Sequence, residues 1–373
     1  MTEQTCTYRF RLKDKHDSEL RRQARAVNVV WNFCQDTQKN ALRWGKKWPT
    51  GYDLGMLTSG SSKELGLLAS TIEHVCQQYA RSLRKSGRAT LRWRGKKSLG
   101  WVPVRDEAVR FDGVGFVYRG QRLDAWVTRL LKAGQRFGCG SISQDSRGRW
   151  YINLTVRLGA APSAGTTSVG IDLGLKDLAT LSTGEKVEAP QWFRRQQERI
   201  GNAQRANKKR QVRSLRAKVA NQRADHLHKL STAIVQQHGA IFVGNVNAAK
   251  LGKTRMAKSV YDAGWSMFRQ QLAYKAVRHG VLYQEVDEKW TTQTCNACGV
   301  IAGPKGRAGL NERVWACGCG AVHDRDVNAA RVILARGQAS LDVGAARSGA
   351  ANLRALSCVE LPTRDCPEEA HRG

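Results

Sequence analysis

The sequence predicts a multidomain α+β protein, and three observations carry that prediction. A largely β stretch runs from Gly87 to Leu158, strands and helices alternate between Ser168 and Val286, and four cysteines with metal-ligand spacing interrupt the chain before its last helix. With 373 residues and 41% hydrophobic content, the chain can bury a real core and is long enough for two or three domains.

Residues 5–12 alternate as a half-exposed strand, and helical patterns follow over 18–39 and 61–85, separated by a Gly- and Ser-containing break at 49–62. In the β stretch the clearest strands are 138–144 and 150–158, joined by Asp-Ser-Arg-Gly-Arg as a hairpin. Small residues with Pro162 and Gly165 make 160–167 a linker. Beyond it, an apolar strand from Ser168 carries Asp172 near its end and turns through Leu-Gly-Leu-Lys into a second strand at 178–181. Residues 193–237 are polar and rich in Lys and Arg, with no Pro, which predicts helices with an exposed cationic face. A buried strand at 240–246, a helix at 259–279 and a strand at 280–286 complete the alternation.

Charge narrows the partners. The 62 Lys and Arg against 31 Asp and Glu give a formal net charge of +31, the electrostatic footprint of a nucleic-acid binder. No apolar run approaches the roughly 20 residues of a spanning helix, and the N-terminus has no signal pattern. The expected location is the cytoplasm, in a bacterial or archaeal cytosol and associated with the nucleoid, with no membrane partner.

Cys295-Asn-Ala-Cys298 and Cys317-Gly-Cys319 supply four thiolates able to surround one Zn²⁺, although the second pair is one residue shorter than a C-x-x-C knuckle. Directly after it, His323-Asp324-Arg325-Asp326-Val-Asn328 leads into a helix through Leu334. One acid there can cap the helix, but two exceed what a cap needs.

Four segments together resemble the TnpB (OrfB) family of insertion-sequence-encoded RNA-guided nucleases, which are related to type V CRISPR effectors. They are Gly170-Ile-Asp172-Leu-Gly-Leu, Arg223-Ala-Asp225-His-Leu-His228-Lys229-Leu-Ser231, Thr291-Thr-Gln-Thr-Cys295-Asn-Ala-Cys298-Gly and His323-Asp-Arg-Asp326-Val-Asn-Ala-Ala. The likeness is strong over 166–340 and a matter of pattern alone in the N-terminal part.

The resemblance implies a mostly β wedge domain (1–12 and 86–160) with a helical recognition insertion (13–85). An RNase H-like, RuvC-type α/β domain would follow, with motifs I and II in 166–290, a zinc ribbon at 291–322 and the motif III helix at 323–340. The tail, 341–373, is expected to be disordered. It also implies structural Zn²⁺ on Cys295, Cys298, Cys317 and Cys319, and catalytic Mg²⁺ held by three carboxylates. Asp172 matches the first acid and Asp326 the third, with Asp324 left to cap the helix or make a secondary contact.

The second acid departs from the family, because Gly244 and Asn245 stand where a Glu-Asp pair is usual. Glu288 is the preferred substitute: it follows a strand expected to neighbour the one ending at Gly244, strands lie about 4.8 Å apart, and the bare Gly244 leaves room. Glu285, Asp287 and Asp262 are weaker candidates.

The partners implied are a guide RNA derived from the transposon end and a target DNA with a short flanking motif. Lys208, Lys209, Arg210, Arg213 and Arg216 are candidates for phosphate contacts, and Arg92, Trp93 and Arg94 join cations to an aromatic that can stack on a base. The resemblance leaves two functions: an RNA-guided DNA endonuclease with a rearranged second acid, or a nuclease-inactive RNA-guided DNA-binding protein that acts as a repressor.

Overall fold

A computed structural model describes residues 3–347, apart from 107, 160–164, 307, 308 and 310. The chain divides into two compact units, residues 5–158 and the described residues from 159 onward, and both mix helix with sheet.

The first unit opens with β1 (Glu3–Leu12) and α1 (Asp17–Arg43), followed by α2 (Gly51–Leu57), α3 (Ser62–Leu65) and α4 (Ala69–Ser86). Short strands come next: β2 (Trp101–Val104), β3 (Val109–Phe111), β4 (Phe116–Tyr118), β5 (Gln121–Leu123), β6 (Ala125–Trp126), β7 (Gly140–Gln144) and β8 (Trp150–Gly159). They form a five-stranded sheet in the order β2-β7-β8-β1-β6 and a three-stranded sheet, β3-β4-β5. Leu20, Ala24, Val27, Val30 and Cys34 recur at helical spacing on α1 and are buried in one core with Tyr79, Val102, Ile142 and Ile152.

Helix α2 sits where the sequence predicted a break, and the helix expected over 61–85 is two helices, α3 and α4. Thr50 and Asp53 form a reciprocal capping box that starts α2, and Gly66 takes a left-handed conformation (φ 60°) that ends α3 before α4 begins.

The second unit begins with β9 (Thr167–Asp172), β10 (Asp177–Leu181) and β11 (Lys186–Glu188), then α5 (Trp192–Arg205) and α6 (Lys209–Gln237). It continues through β12 (His238–Gly244), α7 (Ala248–Leu251), α8 (Ala257–Ala263), α9 (Trp265–His279) and β13 (Leu282–Val286). The two-stranded ribbon β14 (Val314–Ala316) and β15 (Val322–Asp324) leads into α10 (Arg325–Arg347).

The main sheet of this unit has the order β11-β10-β9-β12-β13, antiparallel on the first side of β9 and parallel from β9 through β12 to β13. Helix α10 lies against it at two glycines. A Cβ on Gly170 would stand 2.1 Å from the Ala330 carbonyl oxygen, and one on Gly337 would stand 2.1 Å from the Phe242 ring.

The helix expected over 259–279 is two helices, because Gly264 (φ 72°) breaks it in a left-handed conformation. The last helix runs past the expected end at 340 to Arg347, with no Pro to stop it before Pro362. Residues 348–373 of the expected tail, and 160–164 of the expected linker, lie outside the described residues. No helix among the described residues is long and apolar enough to cross a membrane.

Candidate active site and metal-binding knuckle

Strands β9 and β12 are parallel, with Ile171 paired to Val243, so Asp172 and Gly244 end side by side on the carboxyl edge of the sheet. Strand β13 continues the row, with Val286 paired to Gly244. Glu288 lies two residues further on. Its Oε2 is 3.4 Å, and its Cβ 3.5 Å, from where a Cβ on Gly244 would stand. The Glu288 carboxylate therefore fills the room that the glycine leaves. Asp326 lies in the first turn of α10.

These three acids share one electrostatic environment. Burial, then the charges of Asp326 and Glu288, push the Asp172 carboxyl up to about 7, while Arg325 opposes the rise. Burial also raises the Glu288 carboxyl; Arg269 works against this and Asp287 adds to it. Asp326 is paired with Arg313 at 3.0 Å. Sequence reading missed Arg313, which is thirteen positions away in a Gly-rich loop whose pattern offers no cue to the contact.

The weaker acids have other work. Asp262 is buried and accepts the amides of Phe193 and Arg194 at the start of α5. Glu285 pairs with Arg269 at 2.9 Å, and Asp287 accepts the Lys289 amide. Asp324 Oδ1 accepts the amides of Asp326 and Val327, which caps α10, while its Oδ2 takes the Lys186 ammonium. Burial pushes the Asp324 carboxyl up, yet Lys186 and the Val327 amide hold it below the usual carboxylate value.

The sulfurs of Cys295, Cys298, Cys317 and Cys319 lie within 4.8 Å of one another, the one such set of three or more metal-ligand atoms among the described residues. The Cys295–Cys319 and Cys298–Cys317 sulfurs are 3.7 and 3.6 Å apart. Four thiolates about 2.3 Å from a tetrahedral metal would be about 3.8 Å apart, so the shortened second knuckle still closes the set. Against the cost of burial, the amides of Cys298 and Ala297 and the imidazole of His323 bring the Cys295 thiol down to about 6. Although the Val300 amide pulls it down, the neighbouring sulfurs drive the Cys298 thiol up to about 12. His323 is buried, with Nε2 3.0 Å from Cys295 Sγ and its ring against Trp315.

The acids are spread more widely than the sulfurs. Carboxylate oxygens are the ligand type of a hard divalent cation.

Lys208, Lys209, Arg210, Arg213 and Arg216 are all exposed, and the last three recur every third residue along α6. In the first unit, Arg92 and Trp93 are exposed, with the Lys39 ammonium 4.8 Å above the Trp93 ring. Trp93 is therefore not a core residue. Arg94 is committed within the fold: it donates to Asn28 Oδ1 and the Leu99 carbonyl and lies over the rings of Trp31 and Trp101.

Two family models match the second unit and its approach: one described as "Probable transposase" over 151–255, and one described as "Cas12f1-like, TNB domain" over 265–333. The chain is 28% identical to "Putative RNA-guided DNA endonuclease InsQ" of Escherichia coli K12, over 91% of this chain and 94% of that protein. It is 31% identical to a "Putative RNA-guided DNA endonuclease" of Streptomyces pristinaespiralis, over 90% of each chain. A solved Cas12f1 structure, from a complex with a single-guide RNA and target DNA, shares the fold: the TM-score is 0.54 over 86% of this chain and 83% of that one, at 11% identity. Likeness to the Streptomyces protein along almost the whole of both chains places this protein in the TnpB (OrfB) family.

Proposed function

We propose that this protein is an RNA-guided DNA endonuclease that hydrolyses phosphodiesters with two Mg²⁺ at a RuvC-like site built from Asp172, Asp326 and the relocated Glu288. The observation that carries this reading is the Glu288 carboxylate over Gly244, beside two acids whose charges act on one another. Like-charged carboxylates held together at the carboxyl edge of a sheet repel one another, and a divalent cation, like a proton, relieves that repulsion. The strand order β11-β10-β9-β12-β13, with its antiparallel hairpins and parallel pairs, supports an RNase H-like assignment for the second unit.

When bound, the ions would activate water and stabilise the leaving oxygen. The protein's own part is to hold three carboxylates on rigid elements: Asp172 at a strand end, Asp326 in a helix capped by Asp324, and Glu288 in the loop after β13. Cys295, Cys298, Cys317 and Cys319 would hold a structural Zn²⁺. In this reading 1–12 and 86–160 form the wedge, 13–85 the recognition insertion and 291–322 the zinc ribbon.

The partners proposed are a guide RNA from the transposon end and a target DNA selected by base pairing beside a short flanking motif. The exposed cations of α6 would bind phosphates, and Trp93 with Arg92 would stack on an unpaired base.

The test is guide-programmed plasmid cleavage with Mg²⁺, comparing wild type with Asp172→Ala, Glu288→Ala and Asp326→Ala. Cleavage by wild type that is lost in all three supports the reading. Cleavage that survives Glu288→Ala removes that acid from the site, and guide-dependent binding with no cleavage makes the protein a repressor-like DNA binder.

A further inference from the structure

An acid that has left its strand for a loop needs something else to hold it still. We infer that Arg336 is a positioning residue for Glu288, acting from α10 through the backbone on both sides of that acid. The inference rests on Glu288 being a metal ligand.

The Arg336 guanidinium donates to the carbonyl of Asp287 at 2.9 Å and to that of Lys289 at 2.7 Å, the two residues flanking Glu288. Both bonds come from one amino nitrogen, Nη1, whose two hydrogens tie the backbone on either side of Glu288 to a single point on α10. The third contact comes from the amide of Glu288 itself, which donates to Asn245 Oδ1 at 3.3 Å. Asn245 thus braces the acid that replaces the family's usual pair. Further along the loop, the Thr291 hydroxyl and amide donate to the Glu288 carbonyl, and the buried Asn328 of α10 donates to the carbonyls of Thr291 and Thr294.

The clamp is anchored where it must be. Arg336 is next to Gly337, whose bare Cα lets α10 press on Phe242 of β12, the strand that ends at Gly244. Helix α10 also carries Asp326, so one rigid element fixes one acid directly and the other through Arg336 and Asn328.

The test is Mn²⁺ binding to the full-length chain, followed by electron paramagnetic resonance, with zinc content and thermal unfolding measured on the same samples. Arg336→Ala is expected to weaken Mn²⁺ binding about ten- to a hundredfold, the range for removing a group that orients a metal ligand, with zinc content unchanged. Arg336→Met keeps the aliphatic stem but offers no donor, so it should weaken Mn²⁺ binding as the alanine variant does; it decides the matter if the alanine variant unfolds. In a Gly244→Glu/Glu288→Ala background the acid no longer depends on the loop, so adding Arg336→Ala should change nothing.

Wild-type Mn²⁺ binding in Arg336→Ala or, if that variant unfolds, in Arg336→Met would overturn the inference. So would an equal loss in the Gly244→Glu/Glu288→Ala background, which would mean that Arg336 serves the fold in general. Unchanged Mn²⁺ binding in Glu288→Gln would strike at the metal-ligand reading itself, and the inference would fall with it.

Discussion

Glu288 stands over Gly244: its carboxylate oxygen is 3.4 Å from the position a Cβ on the glycine would take. Glycine and acid thus complement each other in space, one strand end vacated and the neighbouring loop filling it. The same job should therefore be open to an acid at either position.

A swap follows from this. Glu288→Ala is expected to lower guide-directed cleavage at least about a hundredfold, the scale for removing one preorganised electrostatic interaction from a transition state. Gly244→Glu added to Glu288→Ala should recover a substantial part of it, because the new Cβ would meet nothing nearer than the Ile333 methyl at 3.3 Å and the Glu288 carboxylate would no longer occupy the space beside it. Gly244→Glu with Glu288 retained should do worse than wild type, since two carboxylates would then compete for one space. Rates on a single plasmid target would separate these outcomes.

The pH dependence of stability should identify Asp172. Its carboxyl is raised from an ordinary 3.8 to about 7, so the folded metal-free chain holds that proton more tightly than the unfolded one does. The stabilising contribution is complete below about pH 4, falls as the pH rises towards 7 and is gone above it. Asp172→Asn cannot lose a proton, so the gap in melting temperature between variant and wild type should widen in the variant's favour from pH 4 to 7. A gap that stays constant with pH would contradict the proposed environment. Divalent metal should bind more tightly over the same rise, because it needs the ionised carboxylate.

How much of this was legible in the sequence differs from residue to residue. Asp172, Asp326 and the four cysteines lie in short patterns whose chemistry is local, so they could be picked out as candidates before any fold was known. Glu288 was reachable only by reasoning across the sheet, from the expectation that β13 would lie beside β12. Arg313 and Arg336 were out of reach: each contacts backbone or a carboxylate far away in sequence, and an arginine in a chain of such high charge carries no signal of its own. Arg94 misled for the opposite reason, since its basic surroundings suggested phosphate while its guanidinium is taken by Asn28 and Leu99. The split at Gly264 was written in the residue type, but an isolated glycine in a helical pattern is as often tolerated as it is a break.

Zinc should matter beyond its own knuckle. Strand β15 carries His323 into the sulfur cluster and passes directly into α10, where Asp326 is also held by Arg313 at the head of β14. Cys317→Ser is expected to reduce bound zinc from about one per chain to near none and to weaken Mn²⁺ binding with it. Metal analysis beside the Mn²⁺ titration would check this. Full Mn²⁺ affinity in a zinc-free chain would show that the ribbon does not help to place Asp326.

Cations on α6 should act without sequence preference. Replacing Arg210, Arg213 and Arg216 by alanine is expected to weaken binding of all guide and target sequences alike. The slope of log affinity against log salt should become shallower by about 0.7–0.9 for each phosphate that is no longer neutralised. Arg94→Ala differs in kind, since it removes hydrogen bonds inside the first unit and should lower the melting temperature before it changes the salt slope.

Close packing of α10 on the sheet predicts opposite outcomes for two glycines. At Gly170 a methyl group would meet the Ala330 carbonyl oxygen at 2.1 Å and the Leu334 amide nitrogen at 2.7 Å, backbone atoms that cannot turn aside. Gly170→Ala should therefore cost about 1–3 kcal/mol, as overpacking does, and should push α10 away from the strand that bears Asp172. At Gly201, inside α5, the nearest atom is the end of the flexible Arg205 side chain at 3.5 Å. Gly201→Ala should stabilise by about 0.5–1 kcal/mol, through the lower backbone entropy of the unfolded chain. Denaturant unfolding of both variants measures the difference. If Gly170→Ala proved neutral, α10 would not be seated on β9 as closely as the acid cluster requires, and the packing of helix on strand could not be what keeps Asp172 and Asp326 together.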